Sequence, residues 1–207
     1  AAISSAERMR AAGADIIDVG GESTRPGAAE VSADEEWQRV EPILRALIER
    51  GALVSLDTSK PDVMRAGLAL GVQLINDVYA LRRPGALEAV ASSNAAVCLM
   101  HMQGEPRTMQ QAPNYVDVVA EIRDFLGERL QACRAAGISD DRLVIDPGFG
   151  FGKTLEHNLA MFRRLSELSV EDLPLLVGVS RKTMLGAITG RPVGQRQTAS
   201  VAAALVA

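Results

Sequence analysis

Three polar side chains, Asp57, Asn76 and Asp146, each directly follow a short apolar run of the chain. Together they offer two carboxylates and an amide that both donates and accepts hydrogen bonds. A carboxylate can accept in parallel from an exocyclic amine and a ring N–H, which suits a flat nitrogen-rich ring such as a 2-amino-4-oxopyrimidine. The alternative is a metal site, although metal sites favour histidine or more closely clustered carboxylates.

Two basic stretches could hold an anion. Ser180-Arg181-Lys182 comes just after Gly178 at the start of an expected helix, where free backbone N–H groups and a lysine attract an anion or a carbonyl oxygen. A solvated helix start is the plainer alternative. Arg25, in a loop with proline and glycine, could hold a phosphate or a carboxylate, although the loop is also an ordinary turn sequence.

The glycine-rich run 148–154 is not a nucleotide-binding loop. A phosphate-binding loop needs a glycine five residues before Gly152, and that position is Pro147. The glycine spacing does not fit a dinucleotide-binding site either. Asp146 lies at a strand end beside glycines that allow a close approach of the backbone, so it could hold a planar heterocycle. Alternatively, it simply starts the turn.

The remaining reactive residue types indicate structural roles. His101 is expected to line a site rather than to catalyse, His157 to lie on the surface, and Glu35-Glu36 to lie on a solvated helix face. Cys98 and Cys133 stand in apolar or helical contexts, so we expect reduced packing residues. The sequence contains neither a Ser/His/Asp or Cys/His arrangement nor a zinc-ligand spacing.

The amino-acid composition limits the classes of partner that this chain is expected to bind. The 207 residues carry 22 basic and 26 acidic side chains, a net charge of −4, so general nucleic-acid binding is not expected. Aromatic residues make up 3%, which also argues against base stacking. The apolar runs fall short of about 20 residues, so no membrane span is expected. A secretion leader is not visible, which favours a cytoplasmic location.

The elements that position these residues are alternating strands and helices. Short continuous apolar runs alternate with helical patterns, which predicts a parallel sheet covered by helices. The predicted strands are 16–19, 53–56, 74–75, 96–100, 143–145 and 174–177. The predicted helices are 6–11, about 34–50, 61–70, 84–92, 116–136, 155–168 and 181–188, with a last one from about 195.

The strand ends favour a barrel over an open doubly wound sheet. Nearly every predicted strand ends in polar residues or glycine, as the active-site mouth of a (β/α)8 barrel requires, whereas an open sheet gathers its site at one switch point. We therefore predict an α/β TIM barrel with about six of its eight units in this chain. Both ends lie inside helical patterns, so 1–207 is expected to be one domain truncated at both ends.

Taken together and in order, the motifs resemble dihydropteroate synthase, a pterin-binding family of folate synthesis. The resemblance runs along the whole chain. The matching stretches are Asp18–Gly27, Asp57–Pro61, Ile75–Asp77, Cys98–Gly104, Asp146–Lys153 and Gly178–Lys182.

The resemblance implies a usually homodimeric barrel that condenses 6-hydroxymethyl-7,8-dihydropterin diphosphate with p-aminobenzoate, with Mg²⁺ and with sulfonamides as competitive inhibitors. By motif, the pterin would be bound by Asp57, Asn76, Met100, Asp146, Phe151, Gly178 and Lys182. The p-aminobenzoate would be bound by Thr24, Arg25, Pro26, Phe151, Ser180 and Lys182. The first three of these belong to a loop that closes over it.

The chemistry implied is a largely dissociative C–O cleavage followed by attack of the amine. Such a reaction needs charge stabilisation rather than a nucleophile. Asp57 would stabilise the pterin cation, Arg25 would retain the departing anion, and Lys182 would lie beside both substrates. The arylamine attacks in its neutral form, so no strong base is required.

The departures from the family lie at the ends. The loop that carries the Mg²⁺-linked asparagine would precede Ala1, and an Arg-x-His strand would follow Ala207. We therefore expect no metal ligand in this chain, and the 207 residues alone to be inactive or unstable. A pterin-binding methyltransferase domain is the nearest alternative, but Thr24-Arg25-Pro26 and Ser180-Arg181-Lys182 favour the synthase. A non-catalytic pterin-binding remnant is the alternative from another class.

Overall fold

The structure, a computed structural model, describes residues 1–25 and 27–207, and Pro26 lies outside them. It is an α/β fold of parallel strands and helices. The strands are β1 Ile16–Gly20, β2 Leu53–Asp57, β3 Leu74–Asp77, β4 Ala96–Met100 and β5 Leu143–Asp146. The helices are α1 Ala2–Ala11, α2 Ala33–Glu49, α3 Pro61–Leu70, α4 Ala86–Ala91, α5 Val118–Ala135, α6 Leu155–Arg163, α7 Thr183–Thr189 and α8 Gln197–Val206.

The sheet follows chain order, β1-β2-β3-β4-β5. The first four strands pair in parallel, with Gly20 opposite Asp57 and Asp57 opposite Asn76. In-register parallel pairing brings the carboxyl ends of these strands to one edge of the sheet. The parallel strands in chain order and the helices between them confirm the predicted α/β barrel class, of which this chain forms a part.

Local chemistry explains where the helices of the site begin and end. The Ser32 hydroxyl accepts a hydrogen bond from the Glu35 N–H at 3.2 Å, which caps α2. Pro61 begins α3, where a missing N–H costs nothing, and Gly71 ends it with a left-handed φ of 102°. On α2, Val40, Leu44 and Leu47 recur at helical spacing and are buried.

The chain forms two compact units. The first comprises 1–23, 28–99 and 129–143, and its fully buried side chains include Leu44, Leu56 and Ile75. The second comprises 24, 25, 27, 100–128 and 144–207, with Phe149 and Ile122 fully buried. In the described residues, no helix is long and apolar enough to cross a membrane.

The predicted sixth strand, 174–177, was wrong as a strand. It forms a single parallel bridge, between Ile145 and Leu175. Ile145 donates to the Pro174 carbonyl at 3.0 Å and accepts from the Leu176 N–H at 2.8 Å, so the pairing spans one residue only. The predicted helix 155–168 is also interrupted at Arg164, after which 165–168 form a tighter 3-10 turn.

Two glycine-to-alanine substitutions test this explanation of the helices, and their effects on stability should have opposite signs. Gly71→Ala should destabilise the fold by about 1 kcal/mol, because alanine is strained at a left-handed φ. Gly127→Ala should stabilise it by roughly 0.5–1 kcal/mol, because Gly127 lies inside α5 with open space around its Cα. Urea unfolding measures both changes, and equal signs would contradict the interpretation.

Candidate functional site

Asp18, Asp57 and Asn76 form a carboxylate–amide group in the first unit. Asp57 is the last residue of β2 and lies opposite Asn76 of β3. The Asn76 amide donates to the Asp18 carboxylate at 3.4 Å. A Cβ at Gly20 would lie 3.3 Å from the Asp57 side chain, so glycine leaves room beside this carboxylate. The predicted pair of Asp57 and Asn76 is thus adjacent, and Asp18 is an additional member.

The electrostatics of this group centre on Asp57. Burial raises the pKa of Asp57 to about 8, and the negative charges of Asp18, Asp77, Glu36 and Glu22 add to the rise. Without a ligand, this carboxyl group is therefore largely protonated at neutral pH. A cationic or N–H-rich ligand would favour its ionised form.

Asp146, Lys153 and Lys182 form a lysine–aspartate group in the second unit. Asp146 is the last residue of β5, and its carboxylate accepts from the Gly148 N–H at 2.7 Å. Lys182 directly precedes α7, and its amine lies 4.5 Å from the centre of the Phe151 ring, a cation–π distance. The predicted residues Asp146, Phe151 and Lys182 thus all belong to the second unit.

Burial disfavours the charged form of Asp146, Lys153 and Lys182. It raises the pKa of Asp146 to about 6, although the Gly148 N–H and the charges of both lysines oppose the rise. It lowers the pKa of Lys153 to about 7, and it also lowers that of Lys182. The group can therefore exchange protons near neutral pH, and a ligand with N–H groups would favour the ionised carboxylate.

Sequence reasoning missed Lys153. Lys153 is 3% exposed, and its amine lies 3.0 Å from His101 Nδ1 and donates to the Phe151 carbonyl at 2.9 Å. His101 is buried, with its ring edge-on to Phe125, and its predicted structural or lining role stays a prediction. The rarity of lysine was the signal available in the sequence, because only three of the 22 basic residues are lysines. In the structure none of the three is exposed.

Close backbone contacts require glycine at two positions of the glycine-rich loop. Gly148 has a φ of 71°, and a Cβ there would lie 2.0 Å from the His101 carbonyl oxygen. A Cβ at Gly152 would lie 2.5 Å from the Gln103 carbonyl oxygen. Beside the loop is a cavity of about 420 Å³, whose lining includes Gly150, Lys153, Asn158, Lys182 and Met184.

The other predicted residues are placed as follows. Met100 ends β4 and is buried, and its Cγ is 3.4 Å from where a Cβ of Gly148 would lie. Gly178 and Ser180 lie in the segment that leads to Lys182, where Ser180 is exposed. Thr24 is half-buried and Arg25 exposed in the segment between β1 and α2. The roles assigned to them stay predictions, and Pro26 lies outside the described residues.

Two expectations about exposed helix residues were wrong. Glu36 is 1% exposed and pairs with Lys60, so only Glu35 of that acidic pair is solvated. His157 is half-buried, because its backbone N–H donates to Thr154 in a capping box and its ring packs edge-on to Tyr115. Cys98 and Cys133 are both buried and form no disulfide within the described residues, as predicted.

Comparisons with known proteins agree with these motifs. The family model described as pterin binding enzyme matches residues 1–207. The dihydropteroate synthase of Escherichia coli K12 is 51% identical over 207 residues, which are all of this chain and 73% of that protein.

Two solved structures are similar over nearly the whole chain. The Yersinia pestis dihydropteroate synthase, solved as a sulfonamide drug complex, is 50% identical with a TM-score of 0.96 over 99% of this chain and 74% of its own. The Xanthomonas albilineans dihydropteroate synthase with 4-aminobenzoic acid is 48% identical with a TM-score of 0.93 over 99% and 73%. The chain therefore belongs to the pterin binding enzyme family and, within it, to the dihydropteroate synthases.

Proposed function

We propose that this transferase joins 6-hydroxymethyl-7,8-dihydropterin diphosphate to p-aminobenzoate, forming dihydropteroate and releasing pyrophosphate in folate synthesis. The observation that carries the proposal is Asp57, a half-buried carboxyl group opposite Asn76 with its pKa raised to about 8. Such a group, without a cation of its own, is suited to an N–H-rich ring that becomes positive during the reaction.

The pterin is assigned to both groups of polar residues. Asp57 and Asn76 supply acceptors and an amide donor, and Asp146 supplies a second carboxylate that already accepts one backbone N–H. A carboxylate facing an exocyclic amine and a ring N–H accepts two parallel hydrogen bonds. Lys182 is the donor for the ring's carbonyl or nitrogen atoms. Flat contacts to the ring are assigned to Met100, Phe151 and Gly178.

The reaction breaks the bond between the exocyclic methylene carbon and the diphosphate oxygen, and the electron pair leaves with the diphosphate. The dihydropterin delocalises the resulting positive charge, which the Asp57 carboxylate stabilises. Fixed charges aimed at developing charge are the main source of catalysis in such a site. Arg25 is assigned to the departing anion. The lone pair of the neutral arylamine then forms the C–N bond, and the amine releases one proton.

The p-aminobenzoate is assigned to Thr24, Arg25, Pro26, Phe151, Ser180 and Lys182. Support comes from the Yersinia pestis and Xanthomonas albilineans enzymes, whose structures are described with a sulfonamide drug and with 4-aminobenzoic acid. Sulfonamides are therefore proposed as inhibitors of this chain's reaction. A homodimer, a cytoplasmic location and a single domain over 1–207 stay predictions.

Mg²⁺ is kept as a proposed cofactor, but no ligand in this chain is assigned to it. Within residues 1–25 and 27–207, no group of three or more His, Cys, Asp and Glu side chains could hold a metal ion. The residues described do not fit a metal site, so no step of the reaction is derived through the ion.

Lys182→Met tests the function directly in the full-length protein that carries this chain. Removal of the donor should lower kcat/KM for pyrophosphate release by about 10- to 100-fold, because a charged hydrogen bond to the ring is lost. Arg163→Met, which removes a charge from an exposed position of α6, is the matched control and should change little. A wild-type protein that releases no pyrophosphate from these two substrates would overturn the proposed function.

Asp57→Asn tests the electrostatics through stability. Because folding raises the pKa of Asp57 from 3.8 to about 8, the native state binds this proton more tightly than the unfolded state. The aspartate therefore costs increasing stability as the pH rises from about 4 to about 8. The stability of the ligand-free variant relative to wild type should increase over that range, by at most about 1.4 kcal/mol per pH unit.

Urea unfolding at about pH 5 and about pH 8.5 measures this effect. The exposed Asp15→Asn supplies the control for a simple change in net charge. A stability difference between the Asp57→Asn variant and wild type that stays constant with pH would contradict the raised pKa. In the activity assay, the same variant should lose rate because the carboxylate that stabilises the cation is gone.

A further inference from the structure

A largely buried cluster of three charges, Glu22, Glu36 and Lys60, is here called the loop-base triad and lies in the first unit. The Lys60 amine contacts Glu36 Oε2 at 2.5 Å and also pairs with the Glu22 carboxylate. Lys60 is 7% exposed and Glu36 is 1% exposed. The triad joins three elements, because Glu22 follows β1, Glu36 lies in the first turn of α2, and Lys60 directly precedes α3.

The same Glu22 carboxylate closes the base of a loop. Its other oxygen accepts from the Val31 N–H at 3.0 Å, so one side chain ties residue 22 to residue 31 across the intervening segment 23–30. The first end is also held at Gly21, whose carbonyl accepts from Arg39 at 2.8 Å. A Cβ at Gly21 would lie 2.9 Å from the Glu36 backbone oxygen, so only glycine allows this approach to α2.

The triad is a costly way to stabilise a fold. Two carboxylates share one ammonium, which leaves a net charge of about −1 in a buried place. Glu36 Oε1 has no hydrogen-bond partner within the part of the chain that the structure describes. Replacement of buried ion clusters by neutral groups is often neutral or stabilising. What the charges provide is a defined geometry for the two ends of segment 23–30.

We propose that Glu22, Lys60 and Glu36 are positioning residues that fix both ends of segment 23–30 and so hold Thr24 and Arg25 for p-aminobenzoate. This inference rests on the proposed function, which assigns the second substrate to that segment. A loop whose ends are fixed loses less conformational entropy when its ligand binds.

The ionisation of the triad agrees with this role. Burial opposes the charge of Glu22, but hydrogen bonds from Lys60 and Val31 outweigh it and hold the pKa of Glu22 below its ordinary value. Burial likewise opposes the charge of Lys60, yet both carboxylates raise its pKa above the ordinary value. Both pairing partners therefore stay charged at neutral pH, and the anchor is present under the conditions of the reaction.

Steady-state kinetics of the Glu22→Ala variant test the inference in the full-length protein. Loss of the bond to Val31 and of the pair with Lys60 should raise KM for p-aminobenzoate about tenfold. The Kd for the dihydropterin in a direct titration should change less than about threefold. Glu41→Ala, which removes an exposed carboxylate paired with Arg45 on α2, is the matched control and should change neither value.

A second variant keeps the test decisive if Glu22→Ala unfolds. Glu22→Met with Glu36→Gln and Lys60→Met removes all three charges and the acceptor for the Val31 N–H, and the neutral cluster should be tolerated by the fold. It should show the same selective rise in KM for p-aminobenzoate at a melting temperature close to wild type.

The outcomes separate the two proposals. An active wild type whose triad variants keep KM unchanged, or weaken both substrates equally, would overturn the positioning role alone. A wild type that forms no product would instead overturn the proposed function.

Discussion

The proposed function depends on carboxyl groups that the fold removes partly or wholly from water without fully pairing them. A buried carboxylate is costly unless it is neutralised, hydrogen-bonded or protonated. Asp57 and Asp146 both respond with raised pKa values, to about 8 and about 6. A ligand that supplies N–H donors or positive charge lowers that cost, whereas a ligand without them does not. Affinity and specificity for a pterin-like edge therefore have the same physical origin.

Parallel register places Asp57 beside Asn76. Because β1, β2 and β3 pair residue against residue, the last residue of β2 lies opposite the last residue of β1 and the penultimate residue of β3. The residues between strand and helix must then leave room. Gly20 beside Asp57 and Gly148 beside His101 do so, and any side chain at these two positions would meet atoms within 3.3 Å. The glycines thus serve the site as spacers, and the run after Asp146 is backbone packing rather than a phosphate cradle.

The sequence predicted what depends on local pattern. The strands β1 to β5 end within two residues of the prediction, since apolar runs and their polar ends are visible one strand at a time. The burial of Glu36 and Lys153 was not predictable in this way, because each owes it to partners 24 and 52 residues away in the chain. The prediction of a strand at 174–177 was wrong for a similar reason. A strand forms only where a neighbouring strand continues the ladder of hydrogen bonds, and here the pairing spans one residue.

The three lysines show how the surroundings can shift the pKa of one side-chain type in opposite directions. Lys60 contacts two carboxylates, and their attraction exceeds the cost of burial, so its pKa rises. Lys153 contacts a histidine nitrogen and a carbonyl oxygen instead, so burial prevails and its pKa falls to about 7. Arginine could not replace Lys153 as a cation that becomes neutral, since arginine does not give up its proton in proteins. A compact ammonium that can stay charged in one cluster and become neutral in another is therefore the cation that a site of buried carboxylates requires.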